Sequence, residues 1–203
     1  MSGIRVVLAS SSPRRRELLA MIGVPHEVQP ADIDERYLPG EDPAAHAERL
    51  AREKVEAVAR TIGADETLIV AADTIVVVDD DVLGKPRDAA EAARMLGRLS
   101  GRSHTVHTAV AVRLGAREAS AVESPLVTFR ELDADRIAAY ISTGEPMDKA
   151  GAYGIQGYGA TLVTRVEGDY FAVMGLPLQR TVTLIESLGV SYRFRGVHRS
   201  PAR

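Results

Sequence analysis

Cysteine is absent from the 203 residues. That excludes disulfides, thiolate catalysis and zinc ribbons, and it suits a reducing cytoplasm. Long apolar runs are absent too. No stretch approaches the roughly 20 apolar residues of a transmembrane helix, so no membrane partner is expected. The start, MSGIRVVLASSSPRRR, has a brief apolar run with basic residues after it, the reverse of a secretory signal, so export is not expected. An excess of positive charge is lacking: the net charge is −3, which argues against a nucleic-acid coat. Internal repeats, low-complexity blocks and composition shifts are also missing. What remains is ordinary for a globular protein, with 45% hydrophobic and 26% charged residues, enough for one sizeable core or two small lobes.

Lysine is scarce in a more informative way. Of 25 Lys and Arg residues, only Lys54, Lys85 and Lys149 are lysine. Three residues can simply have escaped an arginine bias. They can also mark places where a compact ammonium serves and a guanidinium does not. Where the three fall favours the second reading.

The stretch Leu68 to Pro86, LIVAADTIVVVDDDVLGKP, organises the chain. Its almost unbroken apolar run to Val78 reads as a strand buried on both faces. Asp73 and Thr74 interrupt that run. A carboxylate there must be hydrogen-bonded, paired or metal-bound, because an unsatisfied buried charge is costly. The run turns through Asp79, Asp80 and Asp81 and ends at Gly84-Lys85-Pro86. An inward acid followed by a lysine past a turn is an active-site pattern.

Upstream, Ile4 to Ala9 reads as a strand, and Ser12-Pro13 opens a helix from Arg14 to Ile22, closed by Gly23. A strand that turns into a helix through small hydroxylic residues presents backbone N–H groups and a positive dipole end, which suits an anion. Arg14, Arg15 and Arg16 add cations where the dipole disfavours them. They form either a solvated basic face or a phosphate site, and the coincidence of serines, cap and arginines favours phosphate. A short strand is expected at His26 to Gln29. The acidic loop Asp32-Ile33-Asp34-Glu35 is either solvated or a source of oxygen ligands for a hard cation.

Asp42-Pro43 opens a long helix to Ile62. Its apolar stripe uses Ala47, Leu50, Ala51, Val55, Val58, Ala59 and Ile62. Lys54 falls inside that stripe, so it either snorkels along its own stem or reaches an anion in a cleft. A helix from Asp88 to Leu99, a strand from His104 to Leu114, a neighbouring strand from Ala121 to Leu132 and a helix from Ala134 to Ile141 follow. His104 and His107 lie three apart on opposite strand faces and read as structural. EPMDKAGAYGIQGYG, residues 145–159, is too Gly-rich for regular structure and too apolar for a solvated linker, the mark of a functional loop. A hairpin is expected from Ala160 to Glu167 and Tyr170 to Met174, then a helix from Pro177 to Leu188. The basic tail, residues 190–203, is expected to be disordered. The mixture of strands and helices gives an α/β or α+β class.

The segments LASSSPRRRELL, DIDE, LAREK, AADTIVVVDDDVLGKP and DKAGAYGIQGYG, in this order, closely resemble the Maf family of nucleotide pyrophosphatases, once described as septum-formation inhibitors. The likeness runs from Ile4 to about Leu188, with no departure in these motifs. It implies one two-lobed domain over 1–189, in an α/β fold with a long twisted mixed sheet flanked by helices and a deep cleft between lobes, similar to the house-cleaning ITPase fold. DKAGAYGIQG is similar to the branch acting on dTTP and UTP, not the branch acting on 7-methyl-GTP. The implied reaction is hydrolysis of a nucleoside triphosphate, modified pyrimidine nucleotides included, to monophosphate and pyrophosphate. The implied cofactor is a divalent cation, Mg²⁺, Mn²⁺ or Co²⁺, and the implied assembly is a cytoplasmic homodimer.

By matching motifs, Ser10, Ser12, Arg14 and Arg15 fall on the family's phosphate-contacting segment. Glu35, Lys54, Asp73 and Lys85 fall on its catalytic positions, with Asp73 as proton acceptor. Arg14, Thr74 and Gln156 fall on its specificity positions. Glu35 and Asp73 are the expected metal ligands, with Asp32 and Asp34 in reserve. The chemistry agrees: a buried carboxylate can activate water, and cations must neutralise triphosphate charge, with Lys54 and Lys85 then expected as the inward ammoniums. Gln156 is either a loop amide bonded to backbone or a reader of the pyrimidine imide edge, a bidentate pairing that discriminates by roughly 1–3 kcal/mol. Base reading is preferred, while Lys149 only shapes the loop. Two other functions use the same motifs: a nucleotide-binding regulator of cell division with weak hydrolysis, and a pyrophosphatase for purine or inosine-type triphosphates.

Overall fold

The computed structural model describes residues 3–63 and 66–199. In chain order the elements are β1 (Arg5–Leu8), α1 (Pro13–Met21), β2 (Glu27–Val28), α2 (Pro43–Ile62), β3 (Thr67–Val78), β4 (Asp81–Leu83), α3 (Ala89–Leu99), β5 (Ser103–Leu114), β6 (Arg117–Glu123), β7 (Leu126–Phe129), α4 (Ala134–Ser142), β8 (Val163–Glu167), α5 (Tyr170–Met174), α6 (Leu178–Ser187), β9 (Val190–Tyr192) and β10 (Val197–Arg199). One sheet runs in the order β2-β1-β3-β5-β7-β8, with β4 on β3 and β6 on β5. It is mixed, as expected for an α/β protein: β1 is parallel to both β2 and β3, while β7 is antiparallel to β5 and β8. No helix among the described residues is long and apolar enough to cross a membrane. The residues cluster in two compact units, one of Met1–Asp73, Thr108–Val122 and Gly175–Arg203, the other of Thr74–His107 and Glu123–Met174.

In the first unit β1 lies between β2 and β3, with Val7 opposite both Glu27 and Ile69. Val6 to Ala9 and Leu68 to Ala72 are buried without alternation, because both strand faces are covered. α2 buries Ala47, Leu50, Ala51, Val55, Val58 and Ala59 along the expected stripe. Its ends are set locally: the Asp42 carboxylate accepts from the amides of Ala44 and Ala45, and Gly63 closes the helix at φ 65°.

The tail departs from expectation. Residues 190–199 are ordered as an antiparallel hairpin, in which Val197 pairs with Tyr192 and Arg199 with Val190. Residues 200–203 lie outside the described residues. Basic composition suggested disorder, but Val190 and Val197 are both buried and the Tyr192 hydroxyl donates to the Ile22 carbonyl at 2.6 Å. The Ile4 amide donates to the Val197 carbonyl at 3.0 Å, which ties the hairpin to the start of the chain. The backbone at Phe194 approaches Gly23 so closely that a Cβ at 23 would fall on its carbonyl oxygen. Two buried valines and a handful of backbone contacts thus order a segment whose average composition reads as loop.

In the second unit Asp79 and Asp80 turn β3 into β4, both with positive φ (51° and 63°), the geometry of a two-residue type I′ turn. Arg102 pairs with Asp79, and Arg98 with Asp81 at 2.9 Å. The core gathers Val76, Leu83, Leu96, Leu99, Val127, Phe129 and Tyr153. His104 and His107 are structural, as expected: His104 Nε2 meets the Tyr153 hydroxyl at 2.8 Å, and His107 Nδ1 meets the Ser124 hydroxyl at 2.8 Å.

Two elements differ from the reading of the sequence. The strand expected over Ala121 to Leu132 is two, since β6 ends at Glu123 and β7 begins at Leu126. Pro125 lies between them and has no N–H for a ladder. The second arm of the expected hairpin, Tyr170–Met174, is the helix α5. The Asp169 carboxylate accepts from the amides of Phe171 and Ala172, which caps a helix in place of a turn between strands.

Candidate active site

In the first unit three of the expected residues meet at one point. Lys54 comes from the buried face of α2, Asp73 from the middle of β3 and Glu35 from the loop before α2. Lys54 Nζ lies 2.7 Å from Asp73 Oδ1 and 2.7 Å from Glu35 Oε1. The side chains of Lys54 and Asp73 keep only 10% and 13% of their surface exposed, whereas Glu35 keeps 59%. The pair is therefore buried, and the second carboxylate, Glu35, reaches it from the solvent side. Of the two readings for Lys54, reaching an anion is the one observed.

The same geometry sorts the loop acids. Asp34 is engaged by Arg36, with Nη2 2.6 Å from Oδ2 and Nε 3.0 Å from Oδ1, and that guanidinium holds its carboxyl below the usual carboxylate range. Asp32 is exposed. Glu35 is the loop acid that reaches the buried lysine.

The phosphate-type segment lies in the same unit. Ser10 is buried, and its hydroxyl accepts from the Ser12 amide at 3.2 Å and from Arg15 Nη1 at 3.3 Å. Arg15 Nε also donates to the Gly175 carbonyl at 2.8 Å, so the guanidinium is held by two neutral acceptors. Burial pulls its pKa down while the Asp73 and Glu35 charges push it up, and an arginine keeps its charge throughout. Arg14 is half-buried beside it. Ser12 sits at the cap position of α1 but makes no side-chain cap bond.

The loop carrying Glu35 is braced by residues that sequence reasoning passed over. Glu41 accepts from Arg49 through both carboxylate oxygens, at 2.6 and 2.8 Å, and from the Leu38 amide at 3.1 Å. Arg49 Nη2 also donates to the Arg36 carbonyl at 3.0 Å. Tyr37 stacks on buried His46 with ring centroids 3.5 Å apart. Burial, followed by the negative charge of Asp73, pushes the Tyr37 hydroxyl up to about 12. Neither the spacing nor the composition of 36–49 pointed to this bracket, because it closes a loop onto a helix.

The remaining expected residues belong to the second unit. Thr74 follows Asp73 on β3, on the opposite strand face, and is half-buried. Lys85 is exposed, which corrects the expectation that it points inward. It lies beyond β4 between Gly84 and Pro86, where no apolar stripe draws its stem in. Gln156 is exposed in the Gly-rich loop. Lys149 shapes that loop, as expected: its Nζ donates to the Glu145 carbonyl at 2.6 Å and to Asp148 Oδ1 at 2.5 Å.

The donors of the first unit fit a hard divalent cation. Two carboxylates, Asp73 and Glu35, meet at Lys54, and carboxylate oxygen is the ligand type that Mg²⁺ prefers. Among the described residues no group of three or more His, Cys, Asp or Glu could hold a metal ion.

The first unit thus places a buried lysine between two acids on a mixed α/β sheet, with an arginine-bearing helix start earlier in the chain. The chain matches the Maf-like protein family over residues 5–188 and belongs to that family. It is 54% identical over 191 residues to the dTTP/UTP pyrophosphatase of Moorella thermoacetica, covering 92% of this chain and 96% of the relative. It is 52% identical over 186 residues to the dTTP/UTP pyrophosphatase of Symbiobacterium thermophilum, covering 91% and 94%. Among solved structures it is similar to the Staphylococcus aureus Ham1 protein, at TM-score 0.46 and 17% identity over 78% of this chain and 79% of that one.

Proposed function

We propose that this protein is a nucleotide pyrophosphatase that hydrolyses dTTP and UTP to the monophosphate and pyrophosphate. The observation that carries this reading is the Glu35–Lys54–Asp73 constellation, found in a chain about half identical to relatives that bear this activity as their name. The substrate is a highly charged polyphosphate, so catalysis is mostly positioning and charge neutralisation.

Arg14, Arg15, Ser10 and Ser12 bind the phosphates, with Arg15 already oriented by Ser10 and Gly175. Asp73 accepts the proton of the attacking water, and Lys54 holds the carboxylate in place while lending positive charge to the phosphoryl group. Glu35 and Asp73 would hold a divalent cation, Mg²⁺, Mn²⁺ or Co²⁺, which when bound supplies Lewis-acid charge to the triphosphate. The family likeness supplies the roles of the second unit: Lys85 adds charge for catalysis, and Thr74 and Gln156, with Arg14, select the base. Gln156 can present a donor and an acceptor together, which complements the imide edge of thymine or uracil. A cytoplasmic location and a homodimeric assembly complete the reading, with sedimentation as the test of the dimer.

The decisive experiment incubates the protein with a panel of nucleoside triphosphates and each of the three metals, and identifies the first products. Pyrophosphate and monophosphate from dTTP and UTP are expected. Orthophosphate with a diphosphate overturns the reaction. A preference for purine or inosine-type triphosphates overturns the substrate.

A further inference from the structure

The loop that carries Gln156 is built around one carboxylate. Glu145 Oε1 accepts from the Tyr140 hydroxyl at 2.8 Å and from the Gly159 amide at 2.9 Å. Glu145 Oε2 accepts from the Tyr158 amide at 2.9 Å. The Tyr140 oxygen in turn accepts from the Gly154 amide at 3.2 Å. Backbone groups on both sides of Gln156 are thereby tied to two side chains that precede it in the chain, Glu145 at the start of the loop and Tyr140 on α4. Burial raises the Glu145 carboxyl, but the amides and the tyrosine hydroxyl outweigh it and hold the group below the usual carboxylate range. The Tyr140 hydroxyl is raised, chiefly by burial, so it stays a donor.

This arrangement explains two of the glycines. A Cβ at Gly157, where φ is 66°, would fall on Glu145 Oε2. A Cβ at Gly159 would fall on the Gly154 carbonyl oxygen and within 2.6 Å of the Tyr140 hydroxyl. Gly157 and Gly159 thus let the loop wrap closely around Glu145 and Tyr140, while Gly151 and Gly154 pack against Val76 and Lys149. Three donors converge on an acceptor-only group, and a carboxylate alone satisfies all of them. A glutamine would turn its NH₂ toward one donor and leave that donor unpaired.

We propose that Glu145, with Tyr140, is the positioning residue that sets substrate specificity by holding the backbone on either side of Gln156. This rests on the reading of Gln156 as the residue that recognises the pyrimidine. A base reader with two hydrogen bonds requires its backbone fixed to a few tenths of an ångström, and the network supplies that from side chains that need not touch substrate. A merely structural role would instead change stability without changing base choice.

The test compares kcat and KM for dTTP and dATP in the unmodified protein, Glu145→Gln, Tyr140→Phe, Gln156→Ala and the Glu145→Gln/Gln156→Ala double variant. Amide hydrogen exchange at Tyr158 and Gly159 is measured on the same proteins. Glu145→Gln should reduce the dTTP:dATP ratio of kcat/KM about tenfold, chiefly through KM for dTTP, and speed exchange of both amides. Tyr140→Phe should reduce the ratio about threefold. In the Gln156→Ala background Glu145→Gln should change the ratio little further, because the two residues act through one contact. Should Glu145→Gln fail to fold, Tyr140→Phe carries the same decision through the ratio. A dTTP preference that survives Glu145→Gln or Tyr140→Phe while Gln156→Ala loses it overturns this inference alone, as do additive effects in the double variant. A preference that survives Gln156→Ala overturns the underlying reading and this inference with it.

Discussion

Lys54 Nζ and Asp73 Oδ1 are 2.7 Å apart, with both side chains almost wholly buried. A buried pair adds little net stability over an apolar replacement, but removing one partner strands a charge and costs about 3–5 kcal/mol. Stability and turnover should therefore respond differently to the two residues, and that difference separates chemistry from architecture.

Asp73→Asn keeps an oxygen for Lys54 and removes the proton acceptor. The protein should remain folded while pyrophosphate release from dTTP falls by roughly 100-fold or more. A variant with near-native turnover would remove Asp73 from the role of general base.

Lys54→Met should be the more destabilising change, since it leaves a buried carboxylate without its ammonium. Urea denaturation should show a loss of about 3 kcal/mol. Adding Asp73→Asn to that variant should restore most of the stability and none of the activity. Glu35, half open to water, should contribute little to either stability difference.

Gln156→Ala should lose base preference more than overall rate. The loss expected for a bidentate contact is roughly 1–3 kcal/mol in relative kcat/KM between dTTP and a purine triphosphate. Equal relative values across bases before and after substitution would reject Gln156 as the reader.

His104 predicts an acid limb in stability. Burial pulls its imidazole down to about 4. Between about pH 6.5 and 4 the unfolded chain takes up a proton that the native protein refuses, so stability falls on acidification, by at most roughly 3 kcal/mol, and this contribution stops changing below about 4. His104→Gln retains a partner for the Tyr153 hydroxyl and removes the titration. Its unfolding midpoint should vary less over that range than the parent's, as measured by thermal denaturation at closely spaced pH values.

Tyr192→Phe tests whether the C-terminal hairpin braces the end of α1. Losing the 2.6 Å hydrogen bond to the Ile22 carbonyl should cost about 1 kcal/mol of stability. An unchanged unfolding free energy would make that contact incidental.

Periodicity and punctuation carried the secondary structure well. α2 reads from Asp42-Pro43 at one end to Gly63 at the other, because its cap, first-turn proline and closing glycine are all local signals. The buried run of β3 reads just as directly, and so does the inward direction of Lys54 within an apolar stripe. Where a local signal was overridden, one residue was usually responsible: Pro125 split a strand, and Asp169 capped a helix where a turn was expected. The tail shows the opposite failure, since composition averages over residues and missed that Val190 and Val197 are buried.

By itself, then, the sequence determined a mixture of strands and helices, the inward Asp73 and Lys54, and the motifs of a Maf-family chain that single out Glu35, because each is written in short-range pattern. Tertiary structure alone decided that Glu35 and not Asp34 reaches Lys54, that Lys85 stays exposed, and that Glu145 holds the glycine loop. These outcomes depend on which side chains meet across elements distant in the chain. Spacing along a helix or strand fixes the direction of a side chain, but not what stands at the end of it.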